Sequence, residues 1–146
     1  MKKFVITLFA AALLGCCAAS AQTEKYKVTE SGWGRPDFGM SIGAGGNVTT
    51  MTELPIHRWR KTKGEAVLDM EERQLTFTLP RKEIFYHLLT ESYVHKDRNG
   101  WSYVDYLALE NDVTLCHVWV CTHEDGSRQI CIVFNNFVQG YRITSL

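Results

Sequence analysis

The sequence predicts a mainly β domain, an antiparallel β-barrel or β-sandwich of about eight to ten short strands. Three observations carry that prediction. Apolar and polar residues alternate with the period of a half-buried strand: Leu75, Phe77 and Leu79 are interleaved with Gln74, Thr76 and Thr78. Turn dipeptides at close spacing, Asn99-Gly100 and Asp125-Gly126, separate the strand-like runs. The last third of the chain is dense in Val, Ile, Phe, Trp and Cys, the residues that suit a pleated, buried surface. One short helix is expected over residues 80–91, where Ile84, Phe85, Leu88 and Leu89 share a helical face behind Pro80; the same residues also fit a strand.

The 146 residues are 45% hydrophobic and 22% charged, with a formal net charge of zero. That is a one-domain length and an ordinary globular mix. It excludes a disordered chain, and it gives the whole molecule no electrostatic bias toward nucleic acid.

The N-terminus reads as an address. Lys2 and Lys3 precede an apolar run over residues 4–14, and Ala19-Ser20-Ala21 offers a small-x-small cleavage site. Residues 1–21 are therefore expected to be a secretory signal of bacterial type, leaving residues 22–146 as a single domain in the periplasm, at the cell surface or in the medium. Leu13-Leu14-Gly15-Cys16 also resembles a lipobox, which would instead anchor the chain through a lipid on Cys16. The run is too short to span a bilayer, so no transmembrane segment is expected.

Along the remaining chain, residues 26–30 and 48–54 read as strands on either side of a glycine-rich stretch at 32–46. Residues 65–70 and 74–79 form a hairpin; a four-residue turn over 70–73 pairs Leu68 with Leu75 and Ala66 with Phe77, all on one face. Residues 92–95 and 101–109 flank Asn99-Gly100. Residues 113–122 and 128–135 flank Asp125-Gly126, and a two-residue turn there pairs Trp119 with Ile132 and Cys121 with Ile130. Both faces of this hairpin are apolar, so it should be covered on both sides. Residues 137–143 close the chain as a last strand.

Of five cysteines, Cys16 and Cys17 leave with the signal if cleavage follows Ala21. The odd number remaining, Cys116, Cys121 and Cys131, is not a disulfide framework. A Cys121–Cys131 bridge would need the turn to shift by one residue. Cys116, His117, Cys121 and His123 invite a zinc reading, but alternation points Cys116 away from the other three. His117 and Cys121 are about 13 Å apart at strand rise. No metal is expected, and no cofactor motif is present.

Residues 57–63 (HRWRKTK) are the densest positive run. On a strand, Arg58 and Arg60 share one face and Trp59 lies with Lys61 on the other. That pattern suits an edge strand guarded by charge, or a grip on an anionic glycan, lipid head group or phosphate. Trp101, Tyr103, Tyr106 and Trp119 are aromatic candidates for a pocket wall. Trp33 and Phe38 are candidates for an exposed groove. Asp105, alternating with Tyr103 and Leu107 on a face expected to be buried, is the carboxylate to watch if a histidine meets it. No hydrolase elbow, zinc helix or phosphate loop occurs.

The reading is an exported bacterial binding module. Its ligand would be a small apolar or amphipathic molecule or an envelope component held by a β scaffold, with Trp101, Tyr103, Tyr106, Trp119, Trp59, Arg58 and Arg60 as binding residues. The alternatives are a cell-surface domain that binds protein or glycan, and a hydrolase without a recognisable motif. Expected partners are a small molecule, a glycan or an envelope protein, and not nucleic acid.

Overall fold

The computed structural model describes residues 22–35, 56–96 and 99–146, the side chains of 92–95 excepted. The signal segment, the lipobox cysteine Cys16, Phe38, most of the glycine-rich stretch and the strand expected at 48–54 lie outside the described residues.

Among the described residues eight strands follow one another in chain order: β1 (Thr23–Gly34), β2 (His57–Asp69), β3 (Gln74–Leu79), β4 (Lys82–Lys96), β5 (Trp101–Glu110), β6 (Thr114–His123), β7 (Arg128–Val133) and β8 (Val138–Ser145). Each pairs antiparallel with the next, and β8 pairs back to β1, closing a barrel. Closure gives each of the eight described strands a neighbour on both sides over at least part of its length. Residues 57–63 are the first half of β2; they pair with β1 on one side, while β3 reaches only Glu65–Asp69, so among the described residues their other side is an edge guarded by charge, as the sequence suggests.

Alternate residues of every strand point inward and fill the interior. Phe77 lies at the centre, its ring 4.3 Å from Tyr141 and 6.0 Å edge-on from Tyr86. Leu75, Leu88, Ile130 and Ile132 are fully buried around it. Small residues, Ala66, Ala108 and Cys116, sit among the rings; alternating large and small side chains is how a narrow barrel is packed solid. Each large buried side chain contributes about 1.5–3 kcal/mol by leaving water. Burial also pushes the Tyr141 phenol up to about 12 and the Cys116 thiol up to about 11.

The β2–β3 hairpin has the expected register, with Ala66 opposite Phe77 and Leu68 opposite Leu75. Its turn needs no glycine because Asp69 Oδ1 accepts from the backbone N–H of Glu71 and of Glu72, both at 3.0 Å. Arg73 then takes a positive φ of 52° and donates to the Leu88 and Leu89 carbonyls.

Three expectations are corrected. Residues 80–91 are not helical: β4 runs through them, with Ile84, Tyr86 and Leu88 inward and His87 and Leu89 exposed. Pairing on both sides, to β3 and β5, overrides the weak helical periodicity. The β6–β7 register is shifted by one, so Trp119 faces Cys131 and Cys121 faces Gln129. The reason is a three-residue loop, Glu124, Asp125 and Gly126, with Gly126 at a φ of 89° and the His123 N–H donating to the Ser127 carbonyl. A glycine in that left-handed position ends a three-residue hairpin loop. Asp105, with Tyr103 and Leu107, faces outward from the barrel, not into its core.

Outside the barrel a second apolar layer lies over β6, β7, β8 and β1. Ile56, Trp119, Cys121, Cys131, Val133 and Val138 form it, with Trp59, Trp101 and Tyr103 packed at its margin. Gly32 and Gly140 face each other across β1 and β8 and make the bed on which Ile56 and Trp59 rest. β7 is thus covered on both faces, as its sequence predicts.

Candidate functional site

The outer layer gathers four of the seven side chains expected to bind a ligand: Trp59, Trp101, Tyr103 and Trp119. Outward positions on β5 and β6 stack Tyr103 on Trp119, with ring centroids 4.7 Å apart and planes 23° from parallel. Trp101 packs on its cross-strand partner His123 at 4.9 Å. On the other side of the layer, Arg142 covers Trp59, its Cζ 4.2 Å from the ring centroid. The Arg142 guanidinium also donates to the Glu30 carboxylate. A cation held on both sides in this way is pre-oriented.

Between Trp59 and Trp101 runs a cleft of about 660 Å³, lined also by Asn99, Gln129, Arg142 and hydroxyls of Thr29 and Thr144. Gln129 is the one polar side chain of the layer that is buried, at 6% exposure, and its Oε1 has no hydrogen-bond partner among the described residues. The buried Trp119 Nε1 is likewise without one. The turn below the cleft is ordered by His123, whose Nε2 lies 2.8 Å from the Asn99 carbonyl and whose Nδ1 lies 2.9 Å from Asp125 Oδ1. The Asp125 hydrogen bond, and then the Asn99 carbonyl, raise the His123 pKa, because the imidazolium satisfies both acceptors at once. Hydrogen bonds from Ser127 hold Asp125 down to about 2.

The other three expected residues lie elsewhere. Tyr106 points into the barrel. Arg58 does not line the cleft; its guanidinium lies 5.6 Å from the Trp33 ring. Arg60 is exposed and outside the cleft. Trp33 itself is 44% exposed and stacks on Phe137. Sequence reasoning passed over Gln129, Arg142 and Arg128. Only Arg142 left a trace, as a charged residue two places from a glycine on the outward side of an otherwise buried strand.

A second, smaller cavity of about 310 Å³ opens at the barrel mouth and is lined by Glu24, Ser102, Val104, Tyr106, Val120 and Arg128 among others. Burial raises the Tyr106 phenol pKa there, helped by the charges of Glu91 and Glu24. A third feature is a dyad on the outer wall: His117 Nδ1 is 2.8 Å from Asp105 Oδ1. Neither cavity includes it. Among the described residues no three His, Cys, Asp or Glu side chains converge as a metal site would require. No helix among them is long and apolar enough to cross a membrane.

Comparison with protein-family models, with curated proteins and with solved structures gives no match. The functional reading therefore rests on geometry.

Proposed function

We propose that this protein is an exported binding module whose outer aromatic cleft holds a glycan of the cell envelope. The observation that carries the reading is that Trp59 and Trp101 line one cleft together with amide, guanidinium and hydroxyl side chains, the rest of its wall being Ile56 and Ile143. A sugar ring offers apolar C–H faces and an equatorial belt of hydroxyls. Indole rings take the faces, and side chains with several donors and acceptors take the belt. Arg142, fixed by Glu30 and by Trp59 before any ligand arrives, supplies donors without a large ordering cost.

The filled interior favours this outer cleft over an enclosed carrier cavity. The Asp105–His117 dyad favours a hydrolase only as far as an oriented base does, and neither the outer cleft nor the barrel-mouth cavity includes it.

Titration with N-acetylglucosamine oligomers, followed by intrinsic tryptophan fluorescence, tests the reading. A saturable change is expected, lost in Trp59→Ala and in Trp101→Ala while both variants keep the parent β circular dichroism. Binding that survives both substitutions, or no saturable change with any oligomer, would overturn it.

A further inference from the structure

Arg128 is the first residue of β7, and its side chain turns into the barrel mouth. The guanidinium lies over the Tyr26 ring, with Cζ 4.8 Å from the centroid. Its nearest carboxylate is Glu24, at 3.7 Å from Nη2, beyond a good hydrogen bond. Arg128 Nε and the Tyr26 hydroxyl are each buried with no hydrogen-bond partner among the described residues. Buried donors left unmatched destabilise the fold unless a ligand or water meets them. The cavity above them has a hydrocarbon wall of Leu68, Val104 and Val120, with the Ser102 and Thr122 hydroxyls at the same mouth.

We propose that the barrel mouth is a second binding site, specific for a carboxylic acid with a short hydrocarbon tail. The carboxylate sits on the Arg128 guanidinium and the tail lies against Val104 and Val120. Three features choose that class. A guanidinium presents parallel N–H donors that match the two oxygens of a carboxylate. Glu24, 3.7 Å from the guanidinium, already offsets part of its charge, which disfavours a dianion such as a phosphate monoester more than a monoanion. Below the cavity, Tyr26, Phe77, Tyr86 and Tyr141 close the interior, each at most 3% exposed, so a long acyl chain has nowhere to go. The site is independent of the outer cleft in every group but Arg128, which borders both.

Hexanoate, hexanol and hexadecanoate serve as probes, with binding read from the methyl resonances of Val104 and Val120 in the full mature chain. Hexanoate is expected to give saturable shifts, and hexanol to bind at least about tenfold more weakly, the worth of a charge-assisted pair. Arg128→Gln should abolish the preference for the acid. Arg128→Lys, which keeps the charge but loses the fork, should weaken it and covers the case in which the neutral variant fails to fold. Trp59→Ala should leave hexanoate binding unchanged, which separates this site from the glycan cleft. The proposal is overturned by any of three results: no saturable shift with hexanoate, hexanol binding as well as hexanoate, or hexadecanoate binding far tighter than both.

Discussion

Asp105 and His117 are joined across β5 and β6 by a 2.8 Å hydrogen bond on the outer wall of the barrel. The Asp105 side chain is 17% exposed and the His117 ring 49%. The bond raises the histidine pKa, and its effect outweighs the desolvation that lowers it. A raised folded-state pKa means that the charged form is the one the fold favours. The stabilisation is complete below the ordinary histidine value of about 6.5 and is lost as pH climbs through the raised value.

Asp105→Asn is therefore expected to bring the His117 titration, followed by ring proton NMR, back toward or below the ordinary value. The parent should melt higher at about pH 6 than at about pH 8, and the variant should show a smaller difference. His123 contributes the same sign in both proteins, so some pH dependence will persist in the variant.

The glycine bed makes a separate prediction. A Cβ on Gly140 would come within 3.0 Å of the Trp59 ring and closer still to Ile56. Gly140→Ala should cost about 1–3 kcal/mol by overpacking. Truncating Ile56 to Ala in the same chain should recover part of that loss, a coupling that urea denaturation of the double-mutant cycle would measure. The single variant should also weaken oligosaccharide binding, because it displaces Trp59.

Phe77 touches Tyr141 and Tyr86 at the centre of the interior and is fully buried. Phe77→Ala should destabilise the protein by about 3–5 kcal/mol, a large share of the about 5–15 kcal/mol that holds a domain together. Chemical denaturation would show the midpoint falling with little change in slope if the barrel still folds as one unit.

Cys116, Cys121 and Cys131 are buried thiols, none in a disulfide. Cys121 and Cys131 share the outer face but are diagonal, since each is opposite a different residue. That separation exceeds disulfide reach. Iodoacetamide should leave all three unmodified in the folded protein, even after air oxidation, and label all three in denaturant. Mass spectrometry would read both states.

The sequence carried the β architecture because half-buried strands impose a strict rhythm, and that rhythm is plain at residues 66–79. Turns were readable where chemistry forces them. Asp69 and Arg73 close their turn with local hydrogen bonds, and Asn99-Gly100 falls where expected, with Gly100 at a φ of 84°. The β5–β6 turn falls in the gap between the strands expected at 101–109 and 113–122, with no turn dipeptide to mark it; Asn111 and Asp112 both take positive φ there, at 47° and 60°, a geometry that short polar side chains tolerate. The β6–β7 register failed for a different reason. Asp125-Gly126 serves a two-residue or a three-residue loop equally well, and one residue of slip exchanges the faces. That slip hid the outer layer. With Trp119 and Cys121 facing Cys131 and Gln129, a patch of wall needs covering, and Ile56 and Trp59 cover it from a strand far away in sequence. No local pattern announces such a contact. Alternation along β5 puts Tyr106 on the face opposite Trp101 and Tyr103, and the structure places it there, inside the barrel.

The seam between β1 and β8 has a consequence in time. Lys27 faces Thr144 and Gly32 faces Gly140, so the opening strand is completed by the final one. Until that last segment docks, β1 and β7 each present an open row of backbone donors and acceptors, and the greasy lumen stays uncapped along one slit. Contacts this distant along the chain slow folding. The step that seals the ring is therefore the natural bottleneck, and a nascent or truncated chain stalled before it would offer its two raw margins to a neighbouring copy.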